Sequence, residues 1–183
     1  AICLAQTGAR TLLIDLDLRK PALAEAFGVS AEQGMTTFLT GNSDLSSQIH
    51  QTAFPNLHLV PTGPRAPNPP ELIGSERMAT GLRLVREYFN YIVIDSPPVL
   101  EITDALVVSP QVDGVILVVQ GGKTPRKAVA KAAERFATVG AKLLGVLIND
   151  VDVERSRYGY YYPYYDSYSR YYSSSSEDSK RTA

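Results

Sequence analysis

The sequence predicts an α/β domain: a parallel sheet with helices on both faces, followed by a flexible tail. Three observations carry that reading. Short apolar runs such as Leu12-Leu13-Ile14 and Val115–Val119 show no polar alternation, so both faces of each strand should be covered. These runs alternate with stretches of helical spacing, the order of strand–helix–strand units. Two of them, Leu12–Ile14 and Ile92–Ile94, end directly in aspartate, at the strand ends where open α/β sheets bind ligands.

Each element follows from local sequence. Residues 1–7 read as a helix stopped by Gly8. Residues 11–16 form a buried strand of β-branched and aliphatic residues. Short helices are expected over 21–27, ended by Gly28, over 34–39 and over 44–51. A strand covers 57–60, and a Pro- and Gly-rich loop covers 61–70. Leu72, Met78, Leu82 and Val85 recur at helical spacing, which predicts one helix over 71–89. Strands are expected over 91–95, 115–119 and 143–148, and helices over 104–108 and 125–139. No internal repeat is present.

Bulk properties remove several function classes. A length of 183 residues suits one domain with an appendage. A net charge of −1 gives no footprint for nucleic acid, so none is expected as a partner. Cys3 is alone, which removes a disulfide framework and a thiolate metal site. His50 and His58 are isolated and read as surface or packing residues. Lys127, Lys131 and Arg135 recur every four residues, the pattern of a solvated helix face. No apolar run reaches the roughly 18–20 residues that span a bilayer. The chain lacks an initiating Met, and its first residues read as a helix already under way, so a preceding fragment is expected.

The candidate chemistry lies at the strand ends. Asp15 and Asp17 in Asp-Leu-Asp-Leu-Arg would share a side if extended. Asp95 opens Asp-Ser-Pro-Pro. Three converging carboxylates suit metal-assisted phosphoryl transfer, with Mg2+ held by carboxylate, water and substrate phosphates. Arg19 could neutralise phosphate or pair with a neighbouring carboxylate. Asp104 could orient the loop after Asp95 or cap the following helix. Asn149 could be a turn residue or meet a nucleotide base. Gly121-Gly122-Lys123-Thr124 lacks the upstream Gly of a phosphate loop, since position 117 is Leu. It reads as a strand-to-helix turn in which Thr124 caps the helix and Pro125 takes its first position.

The tail differs from the rest. Nine tyrosines fall between Tyr158 and Tyr172: Tyr158, Tyr160, Tyr161, Tyr162, Tyr164, Tyr165, Tyr168, Tyr171 and Tyr172. Neighbouring tyrosines cannot all be buried with satisfied hydroxyls, so residues 156–183 are read as an accessible, largely unstructured tail behind a domain over 1–155. Exposed phenols in a row suggest a substrate for modification.

These motifs resemble the bacterial protein tyrosine kinases of the capsule and exopolysaccharide type, within the deviant-Walker P-loop ATPases. Residues 12–19 resemble the second Walker A-like motif and residues 92–98 the Walker B motif. Thr103-Asp104-Ala105 follows at the family's usual distance. Pro67-Asn68-Pro69-Pro70-Glu71-Leu72 resembles the family's Pro-Asn-Pro loop, Gly145–Asn149 its closing strand, and the tyrosine cluster its autophosphorylated tail. The family's Gly-Lys-Ser/Thr phosphate loop would precede Ala1.

The resemblance implies a P-loop NTPase-like fold, ATP and Mg2+, and an ATP-dependent tyrosine autokinase. It implies Asp17 and Asp95 around the metal, Asp15 or Asp17 as proton acceptor, Asn149 on adenine, and the tail tyrosines as substrates. It also implies a ring-like homo-oligomer, a membrane-bound polysaccharide chain-length regulator in cis or in trans, a cognate tyrosine phosphatase, and a place at the cytoplasmic face of the bacterial inner membrane. The resemblance leaves two rivals: a related ATPase switch without kinase activity, and a non-enzymatic scaffold with a sticky tail.

Overall fold

A computed structural model describes residues 1–151. The chain divides into two compact units. The first comprises Ala1–Leu117 and Arg126–Gly145; the described part of the second comprises Val118–Pro125 and residues 146–151. The predicted tail, its tyrosines and the expected boundary at 155 lie outside the described residues.

The first unit is built on β1 (Thr11–Asp15), which pairs in parallel with β3 (Leu57–Val60) on one side and β4 (Tyr91–Asp95) on the other. A two-residue strand, β2 (His50–Gln51), adds antiparallel to β3, giving the order β2-β3-β1-β4. β1 therefore sits inside the sheet, and all five of its residues are buried. β4 is the edge, and its residues are half-buried or exposed. A separate two-stranded sheet joins β5 (Val115–Gln120) to β6 (Leu143–Asn149).

Strand side chains alternate, and two clusters use the two faces. Leu12, Ile14, Ile92 and Ile94 face a cluster with α3 (Met35–Leu39), α4 (Pro69–Ile73) and α5 (Glu76–Arg86), through Met35, Phe38, Ile73, Met78, Leu82 and Val85. Leu13, Val93, Leu57 and Leu59 face the other side, with Ala5 of α1 (Ile2–Gln6) and Leu23 and Phe27 of α2 (Leu23–Phe27). The expectation of helices on both faces is met in this way. A third cluster packs Phe136 and Ala132 of α7 (Arg126–Thr138) on Ala105 of α6 (Asp104–Val108) and Val99.

Three expectations are corrected. The helix expected over 71–89 is two helices. The break falls at Ser75, whose hydroxyl accepts the Met78 N–H and so caps a new helix. The helix expected over 44–51 is a 3-10 turn, Leu45–Gln48, followed by β2. Arg135 is not a purely solvated residue: it donates to the Val99 and Leu100 carbonyls at 2.8 and 3.0 Å, tying α7 to the loop after β4.

One backbone junction holds the carboxyl end of β3. Met35 and Thr36 donate N–H to the Pro61 and Thr62 carbonyls at 2.8 and 2.9 Å. A Cβ on Gly34 would lie 2.1 Å from the Pro61 oxygen, so only glycine admits this approach.

Candidate active site

The site forms at the carboxyl ends of β1 and β4. Their parallel register places Asp15 directly beside Asp95, and the Leu16 N–H continues the ladder to the Asp95 carbonyl at 2.9 Å. Both aspartates follow three aliphatic residues, yet they are held differently.

Asp15 is fully buried. Its two oxygens accept backbone N–H groups: Oδ1 from Asp17 at 3.2 Å and Oδ2 from Leu23 at 3.3 Å. The Thr62 hydroxyl donates to its backbone carbonyl at 3.4 Å. A buried carboxylate survives when such donors replace its water. Asp15 thus folds the chain from β1 towards α2.

Asp17 is half-exposed. One oxygen, Oδ1, accepts the Arg19 and Lys20 N–H groups at 3.1 and 2.9 Å, closing a short turn. Its other oxygen accepts no hydrogen bond among the described residues.

Asp95 stands at the exposed strand tip. Its carboxyl is nevertheless held above the ordinary carboxylate range. The first cause is the surrounding protein, which displaces part of its water; the negative charges of Asp15 and Asp17 add to it, and a hydrogen bond from Ser96 offsets part of it. Among the described residues no Lys or Arg forms an ion pair with any of the three carboxylates.

Arg19 faces a fourth carboxylate. Its Nε and a terminal nitrogen lie 3.4 Å from the two oxygens of Asp104, which is fully buried at the first turn of α6. Arg19 forms the ion pair that one of its two sequence readings expected. Asp104 does not cap α6; Thr103 occupies that position without a side-chain cap. Sequence reasoning did not find this pair, because its members are 85 residues apart.

Asn149 belongs to the second unit. It ends β6 and is exposed. Its backbone carbonyl accepts the Gly121 N–H at 2.7 Å, while its side-chain amide makes no hydrogen bond among the described residues. Beside it, Asp150 accepts from Gln120 at 2.7 Å and Lys123 at 3.2 Å, and these bonds, Gln120 first, lower its carboxyl below the usual range. The Gly121–Thr124 segment is a turn, as expected. Its details differ, because the Thr124 hydroxyl accepts the Gln120 N–H at 2.9 Å, and α7 begins at Arg126 rather than Pro125.

Chemically, the first unit offers three carboxylates with unrelieved like charge. Mg2+ is held by one or two carboxylates with waters and phosphates, and this donor set fits such an ion better than an all-protein cage. Among the described residues no group of three or more His, Cys, Asp or Glu side chains is arranged to hold a metal alone.

Comparison with known proteins bears on this site. The sequence model described as an AAA domain matches residues 1–147. The tyrosine-protein kinase CpsD of Streptococcus agalactiae is 37% identical over 162 residues, which cover 88% of this chain and 71% of that protein. The tyrosine-protein kinase YwqD of Bacillus subtilis is 36% identical over 162 residues, covering 88% and 68%. Among solved structures, the kinase domain of the Escherichia coli tyrosine kinase ETK superposes with a TM-score of 0.81 at 29% identity, covering 89% of this chain and 64% of that one. The chimerical protein CapA2B2 gives 0.79 at 34% identity, covering 82% and 67%. The cell division ATPase MinD of Pyrococcus furiosus gives 0.68 at 21% identity, covering 82% and 65%, a likeness of fold alone.

Proposed function

Because the chain belongs to the AAA-domain family, and within it to the bacterial tyrosine-protein kinases, we propose that it transfers phosphate from Mg-ATP to its own tail tyrosines. The observation that carries this reading is the meeting of Asp15, Asp17 and Asp95 at the ends of adjacent parallel strands.

Asp17 and Asp95 are the residues that would hold Mg2+. Bound there, the ion would neutralise phosphate charge and line up the transferring group. A carboxylate of the Asp15–Asp17 pair accepts the phenol proton as the phenol oxygen bonds to the γ-phosphorus and ADP leaves. Both oxygens of Asp15 are held by backbone N–H groups, and one oxygen of Asp17 accepts no hydrogen bond among the described residues. By the same resemblance, Asn149 is the residue that would meet the base. Tyr158 to Tyr172 are the acceptors.

The wider role follows from the same resemblance. The protein regulates capsular or exopolysaccharide polymerisation and export at the cytoplasmic face of the inner membrane, together with a membrane-bound chain-length regulator and a tyrosine phosphatase. No helix among the described residues is long and apolar enough to cross a membrane. The kinase works in a ring-like homo-oligomer. Each phosphate adds about −1.5 to −2 charges, so a fully modified tail repels its neighbours and dissolves the ring.

The test is intact-mass spectrometry of the full-length protein after Mg-ATP, with the activating regulator supplied. Phosphate additions mapping to Tyr158–Tyr172 and lost in Asp95→Ala support the reading. ATP hydrolysis without phosphotyrosine would make the protein an ATPase switch. No Mg-ATP binding at all would make it a scaffold.

A further inference from the structure

We infer that Asp104 is a positioning residue for phosphotransfer, acting through Arg19 on the turn that aims Asp17. The inference rests on the kinase reading for its kinetic consequence, but not for its structural one.

Asp104 has three properties that a helix-starting aspartate does not need. It is completely buried. It makes no capping bond. Both its oxygens face the Arg19 guanidinium at 3.4 Å, across 85 residues of sequence. A fully buried carboxylate is costly without a partner, and Arg19 is the one cation paired with it among the described residues.

Arg19 is itself tied at its other end. Its backbone N–H is one of the two groups that hold Asp17 Oδ1, at 3.1 Å, and the next residue supplies the second at 2.9 Å. The link therefore runs from Asp104, through the Arg19 side chain, to the backbone turn that fixes Asp17. Leu18 seats the base of the turn in the core, and the exposed or half-exposed Asp17, Arg19 and Lys20 around it have the Arg19–Asp104 pair as their side-chain tie to α6 among the described residues. Through that pair the turn is pinned to α6, and α6 follows directly from the loop that leaves Asp95. One ion pair thereby sets Asp17 relative to Asp95. Groups that orient a ligating or catalytic side chain commonly carry large effects without touching the reactants.

The experiment uses full-length protein carrying Asp104→Asn, Arg19→Gln or both. Amide hydrogen exchange on unliganded protein reads the turn directly. The expected result is faster exchange at Arg19 and Lys20 in each variant, with β1 and β3 amides unchanged. Phosphotyrosine kinetics read the consequence: kcat should fall about 10- to 100-fold, with KM for ATP moving less than about threefold. Because the two residues act as one link, the double variant should lose no more than the worse single variant. Unchanged exchange at Arg19 and Lys20 would overturn the inference. So would a loss of thermal stability with kcat per folded molecule intact, the mark of a purely structural ion pair. If the wild-type protein forms no phosphotyrosine, the kinase reading fails, and the exchange arm still decides whether Asp104 orders the turn.

Discussion

β1 and β4 begin as near copies and end as opposites. Each is a run of aliphatic residues closing on aspartate, and they lie side by side in register. β1 has a paired strand on each edge and helices on each face; β4 has one paired edge. Burial then assigns different tasks to the same residue type. Asp15 is sealed in and spends its oxygens on backbone N–H groups, while the Asp95 carboxyl at the strand tip is raised, first by displaced water and then by the charges of Asp15 and Asp17. The lesson is that a strand-end carboxylate is sealed onto backbone N–H groups or left at the surface according to its place in the sheet, not its motif.

The largest test of this contrast is activity. Asp95→Asn should cut phosphotyrosine formation by about 100-fold or more, as expected when metal-assisted charge stabilisation worth several kcal/mol is lost; quantitative phosphotyrosine detection at fixed Mg-ATP reads it. Next comes packing. Ile14 is fully buried, and Ile14→Ala should cost about 2–5 kcal/mol in urea unfolding, whereas Ile94→Ala on the half-buried edge should cost less than half as much. Asp15→Asn should destabilise by about 1–3 kcal/mol, since an amide nitrogen turns one acceptor into a donor facing a backbone N–H.

The carboxylates' legibility has the same structure as their difference. Both strand ends, their order and the covered faces could be read from apolar runs that lack alternation. What could not be read was which strand lies inside the sheet, because that depends on partners 46 and 80 positions away. The Arg19–Asp104 pair was hidden for the same reason. Ser75 was hidden for a different one: Met78, Leu82 and Val85 keep helical spacing, and Leu72, about 120° off that face, was run into the same helix because no Pro or Gly pair marks the break. β2 is two residues long and makes no periodic signal.

Smaller effects sharpen the comparison through pH. The folded-state carboxyl of Asp95 is raised, so its ionised form opposes folding. Asp95→Asn should therefore melt slightly higher than wild type near neutral pH. That advantage should vanish as pH falls through the raised value and Asp95 takes up its proton, a crossing that calorimetry across an acid series would detect. His58 on β3 behaves in the opposite sense. Burial first, and then the Arg10 charge, lower it from 6.5, while its ring packs edge-on against Phe89 at 5.3 Å. Its neutral form favours the fold, so stability should drop as pH falls below about 6.5, and His58→Gln should flatten that slope.

The interior position of β1 also has a consequence in time. Thr11 pairs with Tyr91, 80 positions further along the chain. At a synthesis rate of about 5–20 residues per second, β1 waits roughly 4–16 s on the ribosome for that neighbour. For those seconds a strand with three consecutive aliphatic residues has an unpaired edge, and the acidic cluster does not yet exist. The nascent chain is then a client for chaperones before it can be an enzyme, and slowing translation between β3 and β4 should lower soluble yield while leaving the activity of the molecules that do fold unchanged.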